Sequence, residues 1–301
     1  MRRVIVVGST VLSIFLFLGA AAEARRGGHG STRSDPDRGP HARRIPRASR
    51  SLGLPWRGRL DRGLRVESST TIRKVGQYVA DDRYFGTWQL IQLLERAAYR
   101  VDQLLPGAKL SIGELSAQRG GDVPGHSSHE NGRDVDVAFY VTDARGRSIH
   151  LNTFINFQGD GRGDGGYQAL RFDDHRNWEL VRRLVADGDA RVQYIFVSRP
   201  LRARLLAEGQ RRNAPEVVLR RAAQVLMQPR GRHPHRNHFH VRIYCPPDSR
   251  PTCEDVAPYW PWYPGAAPIQ APPVLPPPTA VERSIDDQSM SRPSPDSALN
   301  P

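Results

Sequence analysis

The sequence has few cysteines, almost no lysine and no long hydrophobic run. Cys245 and Cys253 are the only cysteines, which excludes an all-thiolate zinc site. Among 44 basic residues only Lys74 and Lys109 are lysine, and neither has a serine three positions before it, so the S-x-x-K motif of serine acyl-transfer enzymes is absent. H-E-x-x-H and G-x-S-x-G are also absent, which excludes the zincin helix and the nucleophile elbow.

The apolar run nearest the N-terminus, Val4 to Leu18, is shorter than the roughly 20 residues that a membrane span needs. Arg2 and Arg3 precede it, and Ala22-Glu23-Ala24 follows as a cleavage signature. We therefore predict a signal peptide over residues 1–24 and export to the periplasm, without stable membrane insertion after cleavage. An uncleaved anchor and secretion beyond the periplasm are the alternatives.

The net charge of +13 and the pI of about 10.6 raise the question of nucleic-acid binding. The excess is almost entirely arginine, and no helix-turn-helix, RNP or zinc-finger spacing accompanies it. We therefore expect no nucleic-acid partner. A carboxylate-rich partner outside the cytoplasm is consistent with the charge.

Composition divides the mature chain into three parts. Residues 25–53 are rich in Arg, Gly, Ser and Pro and are predicted to be a disordered basic linker, residues 54–258 the folded domain, and residues 259–301 a Pro-rich, largely disordered tail. The aromatic cluster Tyr259–Tyr263 is expected to pack on the domain, with stacking on sugar as the alternative. An exported chain favours a disulfide between Cys245 and Cys253.

Two short windows concentrate histidine and aspartate: residues 125–136 read GHSSHENGRDVD, and residues 235–240 read HRNHFH. His129 and Asp136 are separated by a loop and the start of a strand, so they can converge on one metal ion. Period-2 alternation puts His238 and His240 on the same face of a second strand. We predict a Zn²⁺ site with His129, Asp136 and His240 as ligands and an open position for water.

Four more residues in these windows are expected to support hydrolysis. His238 shares a strand face with His240 and is the first candidate for general base. His126 and His235 are candidates for transition-state hydrogen bonding or for orienting His238, and Asp134 can accept a hydrogen bond from a ligand ring. A metal-transport site is the alternative for this composition.

The windows resemble the motifs of the LAS zinc peptidases, S-x-H-x-x-G-x-A-x-D and H-x-H. The matching residues are Ser127, His129, Gly132 and Asp136, followed by His238 and His240. More closely, Arg119-Gly120-Gly121, Gly125-His126-x-Ser128-His129, Asp134-x-Asp136 and His235-x-x-His238-Phe239-His240-Val241-Arg242 are similar to the penicillin-insensitive murein endopeptidases. The resemblance covers roughly residues 65 to 255.

The resemblance implies the same three zinc ligands, His238 as base, and supporting roles for His126 and His235. Two departures from the broader group favour an endopeptidase: Asp134 replaces the usual Ala, and His235 stands where a Glu would precede H-x-H.

The implied fold is α+β, with a small antiparallel sheet that carries the zinc site and is flanked by helices. The implied reaction is hydrolysis of D-alanyl–diaminopimelyl cross-links in peptidoglycan. Because stem peptides are rich in carboxylates, Arg119 is a candidate for substrate binding. A D-alanyl-D-alanine carboxypeptidase and a non-catalytic, zinc-containing cell-wall binding protein are the alternatives.

Overall fold

A computed structural model describes residues 49–229 and 233–263. The predicted signal peptide, most of the predicted linker and most of the predicted tail lie outside these ranges. No helix within them is both long enough and apolar enough to cross a membrane.

Thirteen strands and four α-helices are formed by the described residues. The strands are β1 (Arg50–Leu54), β2 (Arg57–Asp61), β3 (Leu64–Arg65), β4 (Ile72–Lys74), β5 (Phe85–Gly86), β6 (Leu110–Ile112), β7 (Asp134–Ala138), β8 (Val141–Thr142), β9 (Ser148–Ile149), β10 (Arg171–Phe172), β11 (Val192–Phe196), β12 (Leu226–Met227) and β13 (His238–Ile243). The helices are α1 (Trp88–Leu104), α2 (Asp174–Ala186), α3 (Arg199–Arg211) and α4 (Glu216–Val225).

A six-stranded sheet in the order β12-β11-β13-β7-β6-β4 forms the centre of the domain. The inner pairs are antiparallel, whereas the outermost pairs, β11–β12 and β4–β6, are parallel. The predicted α+β class is confirmed, and so is the antiparallel arrangement at the middle of the sheet.

The two central strands have one apolar and one polar face. Val135 and Val137 of β7 and Phe239 and Val241 of β13 are fully buried in the hydrophobic core. The alternate residues project to the other face because successive side chains of a strand point in opposite directions. The polar residues of both strands therefore share one surface of the sheet.

Helices α1 and α2 begin where the sequence provides a side-chain cap. Thr87 accepts a hydrogen bond from the Leu90 amide at the start of α1, and Asp173 accepts one from the Arg176 amide at the start of α2. Helix α2 contacts α1, α3 and α4. Its Trp178 is fully buried against Gly209 of α3, where a side chain would collide with the indole. The core thus depends on close helix–helix approach.

Folded structure extends beyond both predicted domain boundaries. Residues 50–53, which composition assigns to the linker, form most of β1 and pair with β2 in a hairpin. At the other end, Trp260 and Trp262 donate their indole N–H groups to the carbonyls of Gln193 and Val192. The aromatic cluster therefore packs on β11, as predicted. Cys245 and Cys253 form the predicted disulfide.

Candidate metal centre

The site is built on the polar face of β7 and β13. In the antiparallel register Asp136 lies opposite His240, and Asp134 lies opposite Arg242. Residues directly opposite each other have Cβ atoms about 5 Å apart, close enough for their side chains to interact. Strand pairing thus brings residues of the two sequence windows together.

His129 reaches the site from the loop between β6 and β7. Its backbone has a φ of +78°, in a region that side chains other than glycine seldom adopt. Ser116 holds this turn because its hydroxyl donates to the His129 carbonyl and accepts from the Gly132 amide. Gly132, at φ +75°, completes the turn into β7. The loop therefore holds the imidazole in one place.

Three ligand atoms converge beneath this loop. The distances are 3.0 Å between His240 Nδ1 and Asp136 Oδ1, 3.2 Å between His240 Nδ1 and His129 Nε2, and 3.4 Å between His129 Nε2 and Asp136 Oδ1. Tetrahedral zinc with bonds of about 2.1 Å separates its ligands by about 3.4 Å. The spacing fits a tetrahedral metal ion.

In His129 and His240, one ring nitrogen makes a hydrogen bond, which leaves the lone pair of the other nitrogen facing the place where the three ligand atoms converge. His129 donates its Nδ1–H to the Leu115 carbonyl at 3.0 Å, and His240 donates its Nε2–H to Asp134 at 2.8 Å. The remaining ring nitrogens are then acceptors, and buried Asp136 Oδ1 has no hydrogen-bond donor among the described residues. Three acceptors packed against one another favour a cation between them.

His126 adds a fourth side chain to the cluster. The ligand atoms of His126, His129 and Asp136 all lie within 4.8 Å of one another, so this group could hold a metal ion. His126 Nδ1 is 3.7 Å from Asp136 Oδ2, a looser contact than those of His240. Both possible ligand groups share His129 and Asp136, and the shorter contacts favour His240 as the third ligand.

Glu114 holds the other side of the His126 ring. The Glu114 carboxylate accepts from His126 Nε2 at 2.8 Å and pairs with Arg83 at 2.9 Å. Burial lowers the pKa of His126, but this hydrogen bond and the charge of Asp136 outweigh it and raise the pKa. Sequence reasoning missed Glu114 because nothing in the pattern after β6 distinguishes it from a surface residue.

Asp134 connects the two strands behind the ligands. It accepts from His240 Nε2 and, at 2.6 Å, from Arg242 Nε. Burial would raise the pKa of Asp134, but Arg242 and His240 hold it well below its usual range. Burial also opposes the charge on His240, yet the hydrogen bond to Asp134 and the negative charges of Asp134 and Asp136 raise its pKa to about 9, and a metal ion at Nδ1 would displace that proton. Asp134 therefore accepts a hydrogen bond from the ring of His240, the residue that the sequence predicts as a ligand.

Burial and neighbouring charges act in opposite directions on the other two predicted ligands. Burial lowers the pKa of His129, which favours the neutral ring that a metal requires. Burial alone would raise the pKa of Asp136, but the charges of His238 and His129 hold it well below the usual value. One neutral imidazole and one carboxylate are the forms that bind zinc.

His238 lies at the edge of the cluster. Its Nδ1 donates to the Asn237 side-chain oxygen at 2.7 Å, and its ring stacks on Phe154 with centroids 4.8 Å apart. The free Nε2 is 3.4 Å from Asp136 Oδ1. The ring therefore presents a lone pair beside the ligand atoms.

His235 is neutral at physiological pH. Burial, followed by the charges of His238 and His240, lowers its pKa to about 3. Its Nδ1 donates to the His233 carbonyl at 2.8 Å, so its Nε2 is an acceptor. The ring centroid is 5.0 Å from that of His238. Of the two predicted roles of His235, orienting His238 is the one that this geometry favours.

A cleft of about 950 Å³ opens over the cluster. Its lining includes His126, His235, His238, His240 and Asp136, whereas His129 is fully buried beneath it. The lining also includes residues that sequence reasoning did not single out: Trp56, Asn156, Phe196 and Arg236. Arg119 is not among the lining residues; its side chain is exposed and its carbonyl pairs with Leu60. The structure therefore does not bring Arg119 together with the other predicted site residues.

Comparison with known proteins gives consistent matches. Residues 74–262 match the family model described as penicillin-insensitive murein endopeptidase. A protein of that name from Klebsiella pneumoniae subsp. pneumoniae is 31% identical over 212 residues, covering 65% of this chain and 71% of the relative. One from Escherichia coli O139:H28 is 30% identical over 174 residues, covering 58% of each chain.

Proposed function

Because the chain belongs to the penicillin-insensitive murein endopeptidase family, we propose that it hydrolyses D-alanyl–meso-diaminopimelyl cross-links of peptidoglycan with a bound zinc ion. The observation that carries the proposal is the convergence of His129, Asp136 and His240 at 3.0–3.4 Å, with Asp136 and His240 lining the cleft. A nitrogen–nitrogen–oxygen set with room for a fourth ligand is typical of catalytic zinc rather than of a closed structural site.

Zinc is the metal that these donors favour. Two imidazoles and one carboxylate suit Zn²⁺ better than Mg²⁺ or Ca²⁺, which take oxygen ligands. His129, Asp136 and His240 would hold the ion, and Asp134 would orient the His240 ring through the 2.8 Å hydrogen bond. When bound, zinc supplies a Lewis acid that polarises the peptide carbonyl and makes a water molecule more acidic.

His238 is the proposed general base. Its Nε2 lone pair lies beside the ligand atoms while Asn237 holds its Nδ1, so the ring can accept a proton from the attacking water. The same nitrogen can then donate that proton to the leaving amino group of diaminopimelate. Phe154, stacked on the ring, keeps it in this orientation.

His126 and His235 have different proposed roles. The Glu114 contact raises the pKa of His126 and therefore favours a protonated ring that can stabilise the developing oxyanion. Neutral His235, packed beside His238, helps to position the base.

The disulfide and the proposed substrate support a compartment outside the cytoplasm. The bridge between Cys245 and Cys253 is of the kind that persists in an oxidising compartment. Together with the N-terminal pattern of residues 1–24, it supports export to the periplasm, where peptidoglycan lies.

Digestion of purified sacculi tests the proposal. We expect zinc-loaded protein to convert cross-linked muropeptide dimers to monomers, as detected by mass spectrometry of the soluble products. Loss of terminal D-Ala without loss of dimers would indicate a carboxypeptidase instead. Unchanged muropeptides together with retained sedimentation on sacculi would indicate a binding protein.

A further inference from the structure

Trp56 is an exposed aromatic residue at the entrance of the cleft. It lies in the turn between β1 and β2, its side chain is 44% exposed, and it lines the same cavity as His126, His235 and His240. Within the described ranges its indole has no hydrogen bond or ring contact. Among the exposed large hydrophobic residues of this part of the chain, it alone lines the cleft.

The turn that carries Trp56 is attached to the loop of His129. The Glu130 amide donates to the Pro55 carbonyl at 3.0 Å, and the Gly58 amide donates to the Glu130 carboxylate at 3.1 Å. These bonds lie on the two sides of Trp56. The backbone of the turn that carries the indole is thus held by Glu130, the residue that follows His129.

The opposite side of the hairpin is attached to the disulfide loop (residues 245–253), to Glu254 directly after it and to Asn131. The Gly53 amide donates to the Thr252 carbonyl at 2.8 Å, and the Gly53 carbonyl accepts from the Glu254 amide and from the Asn131 side chain, each at 3.1 Å. A platform held on both sides loses little conformational entropy when a ligand binds to it. The hairpin precedes the residues matched by the family model, which begin at 74.

We propose that Trp56 is a specificity-determining residue that stacks on a pyranose ring of the glycan strand next to the cleaved stem peptide; this rests on the proposed function. The face of an indole is flat, apolar and partly negative, which complements the weakly positive C–H face of a pyranose ring. The metal ligands on the floor receive the peptide bond, whereas the indole is at the solvent-facing entrance. Three stem residues span at most roughly 10 Å, so the sugar attached to a stem remains close to its cross-link.

The cleft has room for both parts of the substrate. Its volume of about 950 Å³ is near the upper end of the range for ligand pockets. It is continuous from Asp136 to Trp56. A substrate that contacts both Trp56 and the metal ligands would be recognised through its sugar as well as through its peptide.

Two matched substrates test the proposal: cross-linked disaccharide–peptide dimers, and the same dimers after removal of the sugars with an amidase. We expect Trp56→Ala to reduce kcat/KM for the sugar-bearing dimer roughly 5- to 10-fold, mostly through KM, as for the loss of one aromatic contact. The sugar-free dimer should be cleaved at the wild-type rate, and zinc content should be unchanged. Trp56→Phe should retain most of the activity.

Tyr167→Ala is the matched control, because Tyr167 is 40% exposed but does not line the cleft. It should leave both substrates unaffected. Equal losses of Trp56→Ala on both substrates would mean that the indole contacts peptide, and no loss on either would mean that it contacts nothing. Either result overturns the proposal.

A binding measurement separates this proposal from the proposed function. Adding uncross-linked glycan strands to the wild-type protein should shift its tryptophan fluorescence, and Trp56→Phe should remove the shift. If the wild type cleaves no cross-linked dimer but shows this shift, the peptidase proposal fails and glycan stacking stands. If the shift is absent or persists in Trp56→Phe, glycan stacking fails whatever the activity.

Discussion

His238 and His240 are two residues apart on one strand face, yet their second ring nitrogens have different partners. Asp134, a buried carboxylate, accepts from His240, whereas the neutral side chain of Asn237 accepts from His238. A carboxylate partner increases the basicity of a metal-binding imidazole. The environments therefore support a metal ligand at His240 and a proton carrier at His238.

Substitution of each histidine should separate these roles. We expect His240→Ala to lose zinc and activity together, since a ligand supplies binding free energy. His238→Ala should keep its zinc while kcat falls by roughly 10²- to 10⁴-fold, the contribution of a general base. Metal content by elemental analysis and turnover of muropeptide dimers provide the two measurements.

The remaining site residues serve as comparisons for that pair. His129→Ala and Asp136→Ala should behave like His240→Ala, and His126→Ala and His235→Ala should retain metal with intermediate activity. If His126→Ala loses zinc while His240→Ala retains it, His126 is the third ligand. If His238→Ala and His240→Ala both retain zinc and activity, the proposed metal centre is contradicted.

Asp134→Asn should weaken metal binding without removing a ligand. The amide oxygen can still accept from His240, but the charge that faces His240 and Arg242 is lost. We expect zinc affinity to fall about 10- to 100-fold, measured by competition with a chelator. Asp143→Asn, which breaks a surface pair with Arg147, should leave the affinity unchanged. Equal affinities of wild type and Asp134→Asn would show that Asp134 does not act through His240.

At the scale of elements, the packing of α2 against α3 requires glycine at position 209. A Cβ there would lie 2.5 Å from Trp178 Cζ2 and 2.8 Å from Leu219 Cδ2. The collision costs about 1–3 kcal/mol of stability. Replacing glycine by alanine in a helix gains about 1 kcal/mol in helix propensity, which offsets part of that cost. We expect Gly209→Ala to lower the free energy of unfolding by about 1 kcal/mol in urea denaturation.

Gly188→Ala is the matched control for this substitution. No atom lies within 4 Å of a Cβ built at exposed Gly188, so its stability should change little. A Gly209→Ala protein as stable as wild type would mean that the two helices can separate without cost.

The disulfide loop joins the C-terminal end of β13 to the hairpin. Asp255 lies two residues after Cys253 and forms ion pairs with buried Arg133 and with Arg250. Its carboxylate also accepts a hydrogen bond from the Cys245 amide. Cross-linking positions eight residues apart restricts the unfolded chain by about 2–3 kcal/mol. The double variant Cys245→Ser/Cys253→Ser should lose about this much stability, measured in urea, and still bind zinc.

The state of the two thiols is a separate check. Alkylation of the denatured wild type without reductant should add no label by intact mass. Two added labels would show free thiols, which would contradict the disulfide and weaken the proposal of export.

For the whole molecule, the proposed metal joins parts of the chain that are distant in sequence. His129 belongs to a loop, and His240, which lies 111 residues further on, belongs to β13. Since zinc binds the folded chain, each tenfold excess of free metal over Kd adds about 1.4 kcal/mol to stability. We expect one zinc per chain, and chelation should abolish activity and lower Tm, both restored by added zinc.

Calcium or magnesium added to the chelated protein is the control for that experiment. Neither ion prefers nitrogen ligands, so neither should restore Tm or activity. Protein that contains no stoichiometric metal and remains active would contradict the zinc proposal.

The sequence by itself determined several local elements and the family. Thr87 predicted the start of α1, and period-2 alternation predicted the strand over His238 with both imidazoles on one face. These predictions hold because helix caps and strand alternation depend on neighbours a few residues away. The motifs that contain His129 and Asp136 also indicated the family.

Only the tertiary structure decided which groups meet. The register that sets Asp136 opposite His240, the contact of Glu114 with His126 and the entry of Trp56 into the cleft all join residues distant in sequence. Residues 50–53, which form most of β1, were assigned to the linker because Arg, Gly, Ser and Pro dominate residues 25–53, yet they are ordered by pairing with β2 and by bonds to loops that no local pattern encodes. Pairing between distant segments reflects the packing of the whole core, so it becomes visible only when the chain is folded.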